Sequence, residues 1–202
     1  DYTGKVDGNV FDTTVESVAK ENHIHHDNAK FEPATVCVGE KQLLPGLDDA
    51  LVGKEIGKEF SVTLQPEQAF GKRDIKRVKI VPASTFKEHN VKPQPGLQVD
   101  VDGERGIITR VSGGRIIVNF NHPLAGKVVE YTATVVKKVE DAKEQITAFL
   151  NTVLRVPKDK VSIELKEKKA TVTMPVELPP QFTEALAKKL GELTKVEISF
   201  KK

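Results

Sequence analysis

The sequence predicts an α+β protein of three modules, and three observations predict it. Apolar and polar residues alternate along much of the chain, the period of half-buried strands, while helical spacing is confined to short stretches and the tail. Charge is segregated. Residues 1–71 hold 6 basic and 13 acidic side chains, net −7, whereas residues 72–120 hold 10 and 5, net +5, within an overall +2. Segregation of this kind marks a modular chain. The turn chemistry also changes after Gly71, where Pro82, Pro93, Pro95, Asp102-Gly103 and Gly113-Gly114 punctuate the sequence. The expected modules are residues 1–72 with 121–140, an inserted β-rich domain over 73–120, and an α+β domain over 141–202.

Asp1-Tyr2-Thr3-Gly4 reads as a strand entered partway, with a further strand expected before it, and it carries no signal-peptide pattern. Asp7-Gly8 turns the chain between Val6 and Val10-Phe11. Residues 13–35 are polar and read as a long loop with one helical turn. Val36-Cys37-Val38 reads as a short strand closed by Gly39. Residues 45–53 read as a short helix. Pro45 suits its first turn, Asp48 and Asp49 its positive end, and Gly53 its C-terminal cap. Phe60, Val62 and Leu64 alternate as a strand.

In the insert, residues 97–101, 106–111 and 115–120 form a three-stranded meander, and Val129, Tyr131, Ala133 and Val135 then resume a longer strand. The tail has a different grammar. Asp141 and Glu144 make a capping-box-like start to a helix bearing Ile146, Phe149, Leu150 and Val153, which stops near Pro157. Val161, Ile163 and Leu165 alternate, as do Val172, Met174 and Val176. A second helix follows Pro179-Pro180 with Phe182, Leu186, Leu190 and Leu193 on one face, and Val196, Ile198 and Phe200 close a third strand. The order is α-β-β-α-β.

Composition narrows the function. Hydrophobic residues make 38% and charged residues 30%, the balance of a folded globular chain. No apolar run approaches the roughly 18 residues of a membrane-spanning helix, so no membrane partner is expected. Cys37 is the single cysteine, which excludes an intrachain disulfide and suits a reducing cytoplasm. No G-x-S-x-G, Walker or strand-to-helix G-x-G-x-x-G motif is present, and no cofactor is expected. His23, His25 and His26 form the one metal-like group. Their spacing fits no closed site, so a solvated loop is the default and no metal is assigned. A competing function is nucleic-acid binding through Lys72, Arg73, Lys76, Arg77, Lys79, Arg105, Arg110 and Arg115. Only Phe86 and Phe120 could stack on bases there, so a solvated basic face is favoured.

One ordered set of fragments carries chemistry. Tyr2-Thr3-Gly4 is followed by Val10-Phe11-Asp12-Thr13-Thr14, then by Leu43-Leu44-Pro45-Gly46-Leu47-Asp48-Asp49-Ala50-Leu51, then by Gln65-Pro66-Glu67-Gln68-Ala69-Phe70-Gly71. The set resembles the FKBP-type peptidyl-prolyl cis-trans isomerases. Its resumption after an insert, at Asn121-His122-Pro123-Leu124-Ala125-Gly126, is similar to the SlyD-like branch, and the C-terminal extension is similar to the long archaeal members. The resemblance covers residues 1–140; residues 141–202 are matched by layout alone.

The resemblance implies a half-open antiparallel barrel wrapped around one short helix, with the insert a separate β-domain. It implies isomerase activity on unfolded or partly folded proline-containing polypeptides, with holdase-type client binding by the insert. It places Tyr2, Phe11, Asp12, Leu43, Leu44, Leu47, Phe70 and Tyr131 around the pocket. Leu47 is the floor where eukaryotic members often carry Trp. Phe11, Phe70 and Tyr131 are walls for the proline ring, and the Leu44 N–H holds a substrate carbonyl. Asp12 sets polarity near the rotating amide, and Tyr2 hydrogen-bonds at the rim. Ala34 and Val36 stand where a further aromatic wall is common, so weaker binding of macrolide inhibitors is expected.

In the insert, Val78, Ile80, Phe86, Leu97 and Ile108 are the expected client-binding residues, because its apolar content exceeds what so small a domain readily buries. The alternative is that they form its core. For the tail two readings stand: a monomeric cap, or a homodimer through an edge bearing Ile198 and Phe200.

Overall fold

A computed structural model describes residues 1–27, 29–88, 90–176 and 178–201. In chain order its elements are β1 (Tyr2–Val6), β2 (Asn9–Thr13), α1 (Glu16–Glu21), α2 (Pro45–Leu51), β3 (Glu59–Leu64), β4 (Val78–Pro82), α3 (Ala83–Glu88), β5 (Gln98–Val101), β6 (Glu104–Ser112), β7 (Arg115–Asn119), β8 (Val129–Thr134), α4 (Ala142–Leu154), β9 (Ser162–Lys166), β10 (Lys169–Thr173), α5 (Pro180–Thr194) and β11 (Glu197–Lys201). They divide into two compact units, Asp1–Thr63 with Glu130–Lys202, and Leu64–Val129.

The first unit is organised on a four-stranded sheet of order β2-β1-β8-β3, in which β1 runs antiparallel to both neighbours. Asp7 and Gly8 both take positive φ, 50° and 80°, the backbone that a two-residue hairpin needs to follow strand twist. Burial in β8 alternates, with Val129, Tyr131 and Ala133 inward, so a period of two positions this strand.

Residues 36–38 form no strand, contrary to the short strand expected there. The reason is local hydrogen bonding, which satisfies the backbone donors without a ladder. The Cys37 N–H donates to Gln42 Oε1 at 2.7 Å, the Gly39 N–H to both Asp48 carboxylate oxygens at 3.1 Å, and the Lys41 N–H to Asp48 Oδ2 at 3.0 Å.

The tail, within the same unit, has the helix–strand–strand–helix–strand order. Asp141 caps α4 by accepting the Glu144 N–H at 2.8 Å, while the Glu144 carboxylate pairs with Lys137 at 2.7 Å rather than returning to the cap. The sheet order is β11-β10-β9. β9 and β10 form an antiparallel hairpin, and α5 carries the chain over to β11, parallel to β10. Ile146, Leu150, Val172 and Leu190 fill the core between helices and sheet. Two details differ from expectation. β10 ends at Thr173, because Pro175 has no N–H for a ladder, so Met174 and Val176 lie outside it. Phe182, in the first turn of α5, is 46% exposed. Ile198 belongs to the tail's own core and Phe200 packs against it.

The second unit is an antiparallel sheet of order β4-β7-β6-β5 with α3 beside it. The sequence predicts three of these strands. The fourth, β4, comes from the basic stretch, where charged residues break the alternation; Lys79 is exposed while Val81 reaches the core. Val81, Phe86, Ile108, Ile116, Val118 and Phe120 make that core. This corrects the expected client-binding set. Ile108 is fully buried, Phe86 is buried in α3, and Leu97 packs against the same cluster. All three are occupied in holding the unit together. Val78 is half-buried, and Ile80 is 62% exposed.

Candidate active site

The hairpin of β1 and β2 and the middle of β8 build a cluster of rings. Register sets Asp12, Gly4 and Tyr131 side by side across three strands. Gly4 is the piece that permits the packing. A Cβ there would lie 2.9 Å from the tip of Phe11 and 2.9 Å from the Tyr131 ring. Without it, Phe11 and Tyr131 meet edge to face at 5.9 Å and 88°, and Tyr2 meets Tyr131 at 5.7 Å and 62°. These are the arrangements that ring quadrupoles favour.

One carboxylate sits among these rings. Burial first, then the Asp12 charge and the hydrogen-bonding influence of its carboxylate, push the Tyr2 phenol up to about 12. Burial, and then the charge of Asp12, also hold the Tyr131 phenol above its ordinary range. Both phenols are therefore neutral donors near pH 7. The cluster contains no nucleophile and base in hydrogen-bonded sequence. It offers aromatic faces, neutral donors and one acidic group.

Helix α2 supplies the second part. Pro45 occupies its first position, and the Leu44 carbonyl accepts the Leu47 and Asp48 N–H groups at 2.9 Å. The Leu44 N–H has no partner among the described residues. Leu47 is buried, and with Leu43 and Tyr2 it lines a cavity of about 640 Å³. Asp48, read from sequence as a dipole-complementing surface group, is 3% exposed and ties the 39–41 turn to the helix. Its spacing in the sequence carries no sign of this, because the partner is backbone.

The structure thus brings Tyr2, Phe11, Asp12 and Tyr131 together, and Leu43 and Leu47 line the same cavity as Tyr2. Phe70 lies in the second unit, its ring stacked on His122 at 4.5 Å and 1°. The turn bearing Phe70 is joined to the His122 turn by the Gly126 N–H, which donates to the Gly71 carbonyl at 2.8 Å. The sequence motif contains His122 without revealing this stack. Elsewhere, His25 stacks on Phe31 at 5.2 Å and lies 3.7 Å from Glu16, while His23 takes a positive φ. No cluster of three or more His, Cys, Asp or Glu among the described residues could hold a metal ion. Of the basic residues considered for nucleic acid, Arg77 and Lys79 share Glu104 at 2.7 and 2.9 Å, and Lys72 pairs with Glu67. Among the described residues, no helix is long and apolar enough to cross a membrane.

Comparison with known proteins decides the family. Over 145 residues the chain is 36% identical to the short-type peptidyl-prolyl cis-trans isomerase of Methanocaldococcus jannaschii, covering 72% of this chain and 92% of that protein. The chain belongs to the FKBP-type peptidyl-prolyl cis-trans isomerases. It is also 31% identical over 147 residues to the FKBP-type isomerase SlyD of Haemophilus influenzae, covering 70% of this chain and 77% of that protein. Against SlyD of Treponema pallidum, identity is 34% over 116 residues, 55% and 65% of the two chains. Residues 1–87 match the FKBP-type peptidyl-prolyl cis-trans isomerase family, and residues 79–124 match the FKBP26 IF domain. As an FKBP-type enzyme the chain interconverts cis and trans X-Pro bonds, and its mixed α/β architecture is compatible with that fold.

Proposed function

We propose that Tyr2, Phe11, Asp12 and Tyr131, with Leu43, Leu44 and Leu47, form the isomerase pocket and favour the twisted X-Pro amide over either planar form. Phe70 enters this set through the family's sequence pattern alone. Rotation about a peptide C–N bond faces a barrier of about 18–20 kcal/mol from resonance. The two X-Pro isomers are close in energy, and no bond has to break. The catalyst has only to bind the rotated state more tightly than the ground states. At right angles the amide loses conjugation and much of its carbonyl dipole, so it gives up less hydration on entering an apolar site. Phe11 and Tyr131 offer ring faces to the proline. The Leu44 N–H donates to a substrate carbonyl and fixes the chain on one side of the rotating bond.

The observation that carries this reading is the ring cluster on Gly4 with the Asp12 carboxylate set in register beside it. An apolar set that were only core would gain nothing from an enclosed carboxylate. The test is a protease-coupled assay on a proline tetrapeptide. Phe70→Ala is expected to lower kcat/KM by about tenfold or more and Asp12→Ala by less, within the few kcal/mol that positioning contacts contribute. Wild-type rates for both variants would remove the assignment.

For the second unit we propose binding of unfolded polypeptide through its exposed apolar residues. Ile75 is 85% exposed and Ile80 62%, a short distance apart in sequence on a basic stretch that favours acidic clients. Clients of this kind, met in a reducing cytoplasm, are the partners the reading implies.

A further inference from the structure

Residues 32–42 lead into Leu43 and Leu44, and they are held from two sides. On one side Asp48 accepts the Gly39 and Lys41 N–H groups, and Gln42 accepts that of Cys37. On the other side stands the tail. Lys189 of α5 pairs with Glu40 at 2.7 Å, and Lys158, before β9, pairs with Glu32 at 2.8 Å. Cys37 packs against the tail's hydrophobic core. Between these attachments lies the cavity of about 640 Å³, with walls from Phe149 and Leu190 of the tail as well as from Val36 and Leu47. Beside this open cleft, the placement of the loop depends on a few discrete contacts, the two ion pairs and Cys37.

We infer that the C-terminal segment positions the isomerase site: Lys189 and Lys158 hold the 32–42 loop, and through it the Leu43–Leu44 backbone, in the arrangement that receives substrate. Both lysines are positioning residues and touch no substrate. The inference rests on the reading of Leu44 as a substrate-binding donor.

Cys37 provides a reporter, because it is the only thiol in the chain and lies at the junction. Burial, and next the Glu40 charge, hold its thiol above the usual range, with Lys189 acting in the opposite direction and Asp48 adding to the rise. Replacing Lys189 by Glu therefore raises the thiol further, and if the loop stayed docked, alkylation would slow. Release of the loop would speed it. The two effects differ in sign.

The experiment measures alkylation of Cys37 by iodoacetamide in the full chain, together with kcat and KM on a proline tetrapeptide. For Lys189→Glu, alkylation is expected to quicken by about threefold and KM to rise by about threefold at unchanged kcat, the scale of one exposed ion pair. The double variant Glu40→Lys/Lys189→Glu is expected to restore both. Alkylation that slows or stays constant overturns the docking. Faster alkylation with unchanged KM, or failure of the charge swap to rescue, overturns the positioning role. Failure of the pocket assignment would show separately, as wild-type rates in Phe70→Ala and Asp12→Ala, and leaves the alkylation measurement unaffected.

Discussion

Each unit contains a glycine pressed beneath side chains, and the two serve different ends. A Cβ on Gly106 would fall 2.6 Å from Val118 and 2.8 Å from Phe120; one on Gly4 would fall 2.9 Å from Phe11 and Tyr131. Around Gly106 the covering groups are all apolar and belong to a closed core. Around Gly4 they include the Tyr131 phenol, on which the Asp12 charge acts. The same steric device therefore builds a core in one sheet and a polar-tipped ring cluster in the other. What separates the two is chemistry placed above the glycine, not the glycine.

The comparison can be broken most forcefully in the second unit. Ile108→Ala is expected to cost about 2–5 kcal/mol through lost burial and a residual cavity, read as a shifted urea midpoint for that unit. Client binding should fall only as far as the unit unfolds, because Ile108 has no surface to present. Loss of binding from a fully folded variant would return Ile108 to the client site.

Adding a methyl group to each glycine sharpens the contrast. Gly4→Ala and Gly106→Ala should each destabilise by about 1–3 kcal/mol, the usual range for overpacking. Only Gly4→Ala should also depress tetrapeptide isomerisation in the folded fraction. Equal activity in both variants would mean that the rings over Gly4 are core and nothing more.

A smaller effect is pH-dependent. The Tyr2 phenol ionises near 10 in an unfolded chain and near 12 when folded. A raised phenol pKa means the folded state retains a proton that the unfolded state has released. The associated stability is complete below pH 10 and is lost as pH rises from 10 to 12. The fall in unfolding midpoint over that window should be shallower in Tyr2→Phe than in the wild type. Identical slopes would show that the Tyr2 hydroxyl is not buried against Asp12.

The smallest change in stability is expected from Ile75→Ser combined with Ile80→Ser, within about 0.5 kcal/mol because both side chains are exposed. Tetrapeptide turnover should be unaltered while catalysis of a proline-limited protein refolding reaction slows. A variant that refolds the protein at the wild-type rate would exclude this face as the client surface.

Much of the fold was legible as pattern. The Asp7-Gly8 hairpin, the Pro45-started helix and the helix–strand–strand–helix–strand tail all follow from period and punctuation. Patterns failed where neighbours distant in sequence decided the outcome. The apolar run Val36-Cys37-Val38 promised a strand, but Asp48 and Gln42 took backbone donors of that segment instead. β4 was hidden because it lies in a basic stretch, with Lys79 facing outward and Val81 facing in. Phe86 and Ile108 looked available for clients because a sequence lists apolar residues without saying which face of a sheet they occupy.

The amino-acid sequence by itself determined the family motif and the order of elements in the tail, because these depend on local spacing and covalent order. Only tertiary structure decided that Asp12 meets the Tyr2 hydroxyl, that Asp48 is a buried clamp, and that Lys189 reaches Glu40. Those outcomes depend on burial and on contacts between distant segments, which no window of sequence contains.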